Sequence, residues 1–275
     1  MLTDFHNADY VLQVTLKLFA FLSLIRNVEY LFLYRQFEKD GMLGWPVFCL
    51  KNTRSIKFAD KYLGSLFNYK TTISLFIITL VFYLFILLGI GKSFFLFFLI
   101  VILLFNMLFS YRNSIGREGA DYIHNILCFS LLIVFLFKNQ KLIEEYSLIF
   151  IAVQALFSYW ASGMFKLISP AWRNGIAIYT IFNLKTWGNR RLSIMVERNN
   201  YWLGKIFSWL VILLLVLTPF STLLSPAYCM CFLAGCAVFH LANAFIMGLN
   251  KFFWAFIATY PAIIYLCTIV SLKVV

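Results

Sequence analysis

The segment from Thr72 to Ile90, TISLFIITLVFYLFILLGI, is almost entirely apolar and carries no charged residue. Its length matches the roughly 20 residues that an α-helix needs to cross the hydrocarbon core of a bilayer. The rest of the chain has the same character, because 63% of its 275 residues are hydrophobic and only 12% are charged. Soluble domains carry about 25% charged residues, so the sequence predicts an integral membrane protein.

The apolar segments predict about eight membrane-spanning helices. We place them near residues 11–34, 71–91, 93–111, 121–138, 145–167, 203–224, 227–247 and 249–272. The predicted fold class is therefore all-α, a polytopic integral membrane helical bundle. We find no internal repeat and no linker, so we expect residues 1–275 to form a single domain. The N-terminal sequence lacks the features of a cleavable signal peptide, and we expect the first helix to be retained.

Two loops between the spans, residues 35–70 and 168–202, are basic and rich in aromatic residues. This mixture is typical of segments in the membrane interface, where aromatic rings lie at the headgroup level and basic groups contact phosphates. We therefore relate the formal charge of +12 to anionic membrane lipids and expect no nucleic-acid partner. The positive-inside rule then places both loops in the cytoplasm.

The fifth predicted span ends in a polar stripe. Gln154, Ser158, Ser162 and Lys166 recur every four residues and therefore share one helical face. A charge inside a span costs about 2.5–3.5 kcal/mol on insertion scales, and such residues often mark function. Lys166 has two interpretations. It anchors the helix end in the headgroups, or it is a desolvated, neutral amine that acts as a base.

Two histidines within predicted spans are further candidates. Asp121 and His124 lie one turn apart on the fourth span, where they are candidate catalytic groups. The alternative is structural: Asp121 stabilises a helix N-terminus and His124 is a hydrogen-bonded core residue. His240 and Asn243 share a face of the seventh span, and His240 is either a core histidine or a ligand-binding one.

Other chemistries have no support in the sequence. It contains no nucleotide-binding loop, hydrolase elbow or HExxH motif. The six cysteines lie mostly in apolar segments, so we expect no metal site. Arg26 in the first span has Glu29 one turn away, which favours an internal ion pair. The aromatic residues around this polar interior suit a flat, lipid-soluble ligand such as a quinone.

The stretch SYWASGMFKLISPAWRNG, which contains Lys166, resembles the lysine motif of the HTTM family. This family is the transmembrane domain shared by vitamin K-dependent gamma-carboxylases and bacterial proteins. Supporting matches are Arg26, the segment DGMLGWP and the segment FHLANAFIMGLNKFFWAFI. In the carboxylases, the lysine of this motif is the base that deprotonates vitamin K hydroquinone. By position, Lys166 is similar to that lysine, which implies a lipid-soluble hydroquinone as cofactor.

Residue patterns and resemblance together define the candidate site. The candidate catalytic residues are Lys166, His124 and Asp121. The candidate cofactor-binding residues are His240, Asn243, Ser162, Trp160, Trp172 and Arg26.

The chain differs from the carboxylases in two respects. Our alignment places Ala120 where the carboxylases have a histidine, with His124 one turn later, and we expect no counterpart of their large exoplasmic domain. It is closer in size to stand-alone members of the sporulation-delaying protein B type, which are needed to mature a secreted peptide toxin. The resemblance therefore implies a peptide substrate, a partner maturation protein and the bacterial cytoplasmic membrane.

Three functions follow as hypotheses. The leading one is a membrane component of a peptide-toxin maturation system with a buried lysine base. The first alternative is a quinone-dependent, vitamin K-type carboxylase or epoxidase, although its chemistry is exoplasmic whereas the charge pattern puts Lys166 near the cytoplasm. The second alternative is a non-catalytic peptide-binding, immunity or transport protein.

Overall fold

The computed structural model describes residues 3–50, 54–113, 118–138, 140–184, 188–199 and 201–274, and the regular elements within these ranges are helices. The all-α prediction is therefore confirmed. The first six α-helices are α1 (Ala8–Phe32), α2 (Trp45–Cys49), α3 (Arg54–Leu63), α4 (Tyr69–Leu88), α5 (Phe95–Arg112) and α6 (Gly119–Leu136). They are followed by α7 (Lys141–Ile168), α8 (Pro170–Arg173), α9 (Ile176–Phe182), α10 (Arg190–Arg198), α11 (Trp202–Leu217), α12 (Pro226–Met247), α13 (Asn250–Ile257) and α14 (Tyr260–Val274).

Within the described ranges, seven helical stretches are long and apolar enough to cross a membrane, and a bent helix pair raises the number to eight. The seven are Ala8–Phe32, Tyr69–Leu88, Lys92–Arg112, Gly119–Leu136, Lys141–Ile168, Pro226–Met247 and Asn250–Leu272. The bent pair is α10 and α11, which meet at 110°. By the length and composition of these helices, the chain is an integral membrane protein.

The predicted span over residues 203–224 differs most from the structure. Helix α11 ends at Leu217 after 16 residues, which is shorter than the roughly 20 residues of a typical span. Pro219 begins a 3₁₀ turn that runs to Leu223. A proline lacks the backbone N–H that a continuing helix needs and restricts the residue before it. The prediction of one uninterrupted helix is therefore wrong at its C-terminal end.

The chain contains two compact units. We call Leu16–Gln140 the first unit, and Met1–Thr15 with Lys141–Val275 the second unit. The prediction of a single domain over residues 1–275 stays a prediction.

In the first unit, α5 packs against α4 and α6. Its core includes an aromatic cluster of Tyr30, Phe37, Phe76 and Phe105. The rings of Tyr30 and Phe76 are stacked at 5.2 Å, and those of Phe76 and Phe105 meet edge to face at 4.9 Å. Such pairs add to the stabilisation that comes from buried area.

In the second unit, α7 packs against α11 and α14, and α12 packs against α13 and α14. Close packing between α7 and α11 depends on Gly163, because a Cβ atom there would lie 2.8 Å from the backbone nitrogen of Val216. Small residues at helix contacts let two backbones approach in this way. The sequence alone does not indicate which helix Gly163 contacts.

The two predicted interfacial loops contain short helices. Helices α2 and α3 lie in the first loop, and α8, α9 and α10 lie in the second. In α10, Ser193 and Val196 are buried, whereas Arg190 and Arg191 are exposed. This two-sided pattern is typical of helices that lie in the plane of the membrane surface.

Candidate functional site: the Lys166 groove

One face of α7 borders a groove of about 570 Å³ in the second unit. We call it the Lys166 groove, and its lining consists of Phe157, Ser158, Ala161, Ser162, Phe165, Lys166, Ser169 and Trp172. The spacing of four between many of these residues places them on one side of the helix. Three of the four residues in the predicted polar stripe therefore meet in the groove, and Gln154 is not among the lining residues.

The side chain of Lys166 folds back along its own helix. Its Nζ donates to Ser162 Oγ at 2.6 Å and to the backbone oxygen of Ser162 at 3.3 Å. The same nitrogen lies 5.0 Å from the ring centre of Trp172. A lysine that extends freely into the headgroups would make neither contact. The structure thus brings together three predicted site residues, Lys166, Ser162 and Trp172.

Trp172 reaches Lys166 because the chain turns after α7. Helix α7 ends at Ile168, Ser169 is extended, and Pro170 begins α8. Proline at the first helical position starts a new helix well, since its fixed φ suits that position and no N–H is needed. The short helix α8 carries Trp172 back over the amine. The Ser-Pro break in the sequence therefore has a direct role in forming the groove.

Gly175→Ala is expected to disrupt the packing of α8 and α9 against α11. Gly175 has φ of +82°, and an added Cβ would lie 2.6 Å from the carbonyl carbon of Gly204 and closer still to the backbone nitrogen of Lys205. Left-handed backbone costs a non-glycine residue about 1–2 kcal/mol, and the clash adds to it, so we expect a loss of about 2–5 kcal/mol. Thermal unfolding of the purified protein in detergent measures this loss.

Gly248→Ala is the matched control for that measurement. Gly248 has φ of +71°, but a Cβ there would meet no atom within 4 Å. It should therefore cost only the backbone strain of about 1–2 kcal/mol. Equal losses in the two variants would contradict the close contact between Gly175 and α11.

His240 lies in a second cluster of the same unit. Tyr159 OH is 3.1 Å from His240 Nε2 and 3.3 Å from Tyr260 OH. The imidazole stacks on Phe256 at 4.7 Å and is only 4% exposed. Its Nδ1 has no hydrogen-bond partner among the described residues. The structure thus supports the interpretation of His240 as a hydrogen-bonded core residue, in which one of the two ring nitrogens is hydrogen-bonded.

The His240 cluster and Lys166 are connected through helix α7, which carries both Tyr159 and Lys166. Tyr159 precedes Lys166 on α7 by about two turns. Tyr159 and Tyr260 were not predicted from the sequence. Asn243 follows His240 on α12 and is partly buried. Trp160 is not a lining residue of the groove, and its ring lies 6.1 Å from that of Phe157.

The remaining predicted residues lie in the first unit. His124 is buried there, with Nδ1 at 3.4 Å from Ser23 Oγ and Nε2 at 3.4 Å from Tyr83 OH. Asp121 accepts a hydrogen bond from the backbone N–H of Glu118 at 3.0 Å and forms part of a capping box at the start of α6. This is the structural role that the sequence offered as its alternative. Catalytic roles for His124 and Asp121 stay predictions.

Arg26 also lies in the first unit, where its Nη2 donates to Asn106 Oδ1 at 2.8 Å. Asn106 was not predicted from the sequence. The role of Arg26 in cofactor binding and its pairing with Glu29 stay predictions. Among the residues that the structure describes, no group of three or more His, Cys, Asp or Glu side chains could hold a metal ion.

Comparison of the chain with models of known protein families, with curated proteins and with solved structures finds no match. The resemblance to the HTTM family therefore stays an expectation.

Proposed function

We propose that this chain is the integral membrane component of a system that matures a peptide toxin, in the bacterial cytoplasmic membrane and together with a partner maturation protein. The Lys166 groove receives an apolar part of the peptide. Lys166, in its neutral form, then accepts a proton from the bound substrate and becomes an ammonium group. Ser162 holds the amine in place during this transfer.

The observation that carries this proposal is the placement of the amine. Lys166 Nζ lies in a groove lined by aromatic and serine side chains, 2.6 Å from Ser162 Oγ and 5.0 Å from the ring centre of Trp172. A general base must lie within hydrogen-bond reach of the proton that it takes from a bound substrate. The groove has the volume of a ligand site, since such sites measure about 300–1,000 Å³ and this one about 570 Å³.

A second candidate function uses a hydroquinone in the same groove. The observation that favours it is the aromatic wall formed by Phe157, Phe165 and Trp172, which suits a flat ring. In this case a hydroquinone O–H gives its proton to Lys166 Nζ, which leaves an oxyanion on the ring and an ammonium on the lysine. Purified protein that neither binds nor oxidises a naphthohydroquinone would argue against this candidate.

Ala161→Trp is expected to fill the groove and stop peptide maturation. Ala161 is a lining residue between Phe157 and Phe165, so a large ring there occupies the space of the substrate. The test is made in a bacterium that secretes the peptide, with the native gene deleted and variants supplied on a plasmid. Mass spectrometry of the medium should show mature peptide reduced by about tenfold or more, the effect of losing about 1.4 kcal/mol of binding.

Val153→Trp is the matched control, because Val153 lies on the same helix, is 47% exposed and is not a lining residue. It should leave the yield of mature peptide unchanged. If gene deletion itself leaves the yield unchanged, the maturation function is lost. If Ala161→Trp supports full yield at normal abundance in the membrane, the groove is not the substrate site.

A further inference from the structure

Arg26 carries a charge inside a membrane-spanning helix. It lies about 9 Å before the end of α1 at Phe32, at 1.5 Å per residue, and it is partly buried. A guanidinium stays protonated in proteins. Such a group within a span normally pairs with an opposite charge or faces a cavity.

The described hydrogen bond of Arg26 crosses to α5 and reaches a neutral group. Nη2 donates to Asn106 Oδ1 at 2.8 Å. Arg26 Nε is buried and has no hydrogen-bond partner among the described residues, and the same holds for Asn106 Nδ2. Asn106 is only 3% exposed, so water does not replace the missing partner easily.

The two unsatisfied atoms are both donors. Buried donors without partners cost about 1–3 kcal/mol each, and here they stand beside a fixed positive charge. A negatively charged acceptor would bond to both donors and balance the positive charge. Carboxylate and phosphate oxygens bond to guanidinium groups with the strongest hydrogen bonds of this kind.

The surroundings keep this pair of side chains in place. Asn27, the next residue of α1, is fully buried and donates to Thr79 Oγ1 at 2.8 Å. Tyr83 is fully buried one turn after Thr79 on α4. The donors of Arg26 and Asn106 are therefore held by packed helices rather than by a mobile loop.

We propose that Arg26 and Asn106 form a binding site in the first unit for the carboxylate or phosphate group of an anionic ligand. Arg26 Nε and Asn106 Nδ2 donate to its oxygens. The ligand approaches from the exposed part of Arg26. This site does not depend on the proposed function of the Lys166 groove.

Thermal unfolding of the full-length protein in dodecyl maltoside tests the site. Oleate supplies a lipid carboxylate, dioleoylphosphatidylglycerol a lipid phosphate, and acetate and inorganic phosphate the free ions. A bound ligand raises the unfolding temperature as its concentration exceeds the dissociation constant. We expect at least one of these probes to protect the wild type. Its apparent dissociation constant should rise about tenfold or more in Arg26→Gln, because this variant loses one charge-assisted hydrogen bond to the ligand.

Lys17→Gln is the matched control, since Lys17 is an exposed basic residue on the same helix. It should keep the affinity of the wild type. If Arg26→Gln does not fold, Asn106→Leu is the second variant: it removes the unsatisfied Nδ2 donor, and with it the Oδ1 atom that accepts from Arg26, while keeping the charge. It should also raise the apparent dissociation constant. Protection by oleate or phosphatidylglycerol alone supports a lipid source, and protection by acetate or phosphate supports a free ion. Two results would overturn the site. Either none of the four probes protects the wild type, or the Arg26 and Asn106 variants are protected as well as the wild type is.

Discussion

Lys166→Ala is expected to abolish peptide maturation while the protein stays folded and abundant in the membrane. The substitution removes the amine that lies between Ser162 and Trp172. General bases contribute about 10²–10⁴-fold to rate, so the yield of mature peptide should fall by about 100-fold or more. The measurement is mass spectrometry of the medium, normalised to the amount of protein in the membrane.

Lys166→Arg separates the two interpretations of this lysine. An arginine keeps the charge and the long stem of a helix anchor, but it does not become neutral in a protein and so does not act as a base. Loss of maturation in both variants supports a base. Recovery in Lys166→Arg supports an anchor in the headgroups. Lys205→Ala, at an exposed lysine of α11, is the control and should retain full yield.

A third outcome would indicate that the groove binds the peptide without catalysis. If Lys166→Ala retains maturation while Ala161→Trp stops it, the groove holds the peptide without chemistry at the lysine. That result would favour the non-catalytic class of function. The two variants therefore distinguish a catalytic groove from a binding groove with the same assay.

Most of the fold could be predicted from hydrophobic runs, because a span must bury about 20 apolar residues regardless of its neighbours. Seven of the predicted spans correspond to the seven helical stretches. The error at α11 arose because a local break at Pro219 interrupts a run that stays apolar on both sides. Hydropathy measures composition, whereas helix ends depend on backbone hydrogen bonds.

The site could be predicted only where its residues share one helix. The period of four on α7 placed Ser158, Ser162 and Lys166 on one face, and all three line the groove. Tyr159 and Tyr260 meet at His240 from separate helices. Pairing between helices depends on tertiary packing, which a single sequence does not display. The same reason explains why Asn106 was missed as the partner of Arg26.

Arg112→Met is expected to destabilise the first unit more than the substitution of any exposed residue nearby. Arg112 is only 3% exposed. Its Nε donates to the backbone oxygen of Phe67 at 3.1 Å, and its Nη1 donates to that of Leu43 at 2.6 Å. The guanidinium also lies 5.1 Å from the ring centre of Phe37. One side chain at the end of α5 thus joins the loop after α1 to the start of α4.

Methionine fills part of the volume but leaves both carbonyl oxygens without their donor. Each unsatisfied carbonyl costs about 1–3 kcal/mol, so the expected loss is about 2–6 kcal/mol, a large share of the 5–15 kcal/mol of a typical protein. Thermal unfolding in detergent measures the total, and limited proteolysis detects opening of residues 34–50. Lys70→Met, at an exposed position in the first turn of α4, should change neither readout. Equal behaviour of the two variants would mean that water replaces the guanidinium at both carbonyls, and that Arg112 does not hold this end of the unit together.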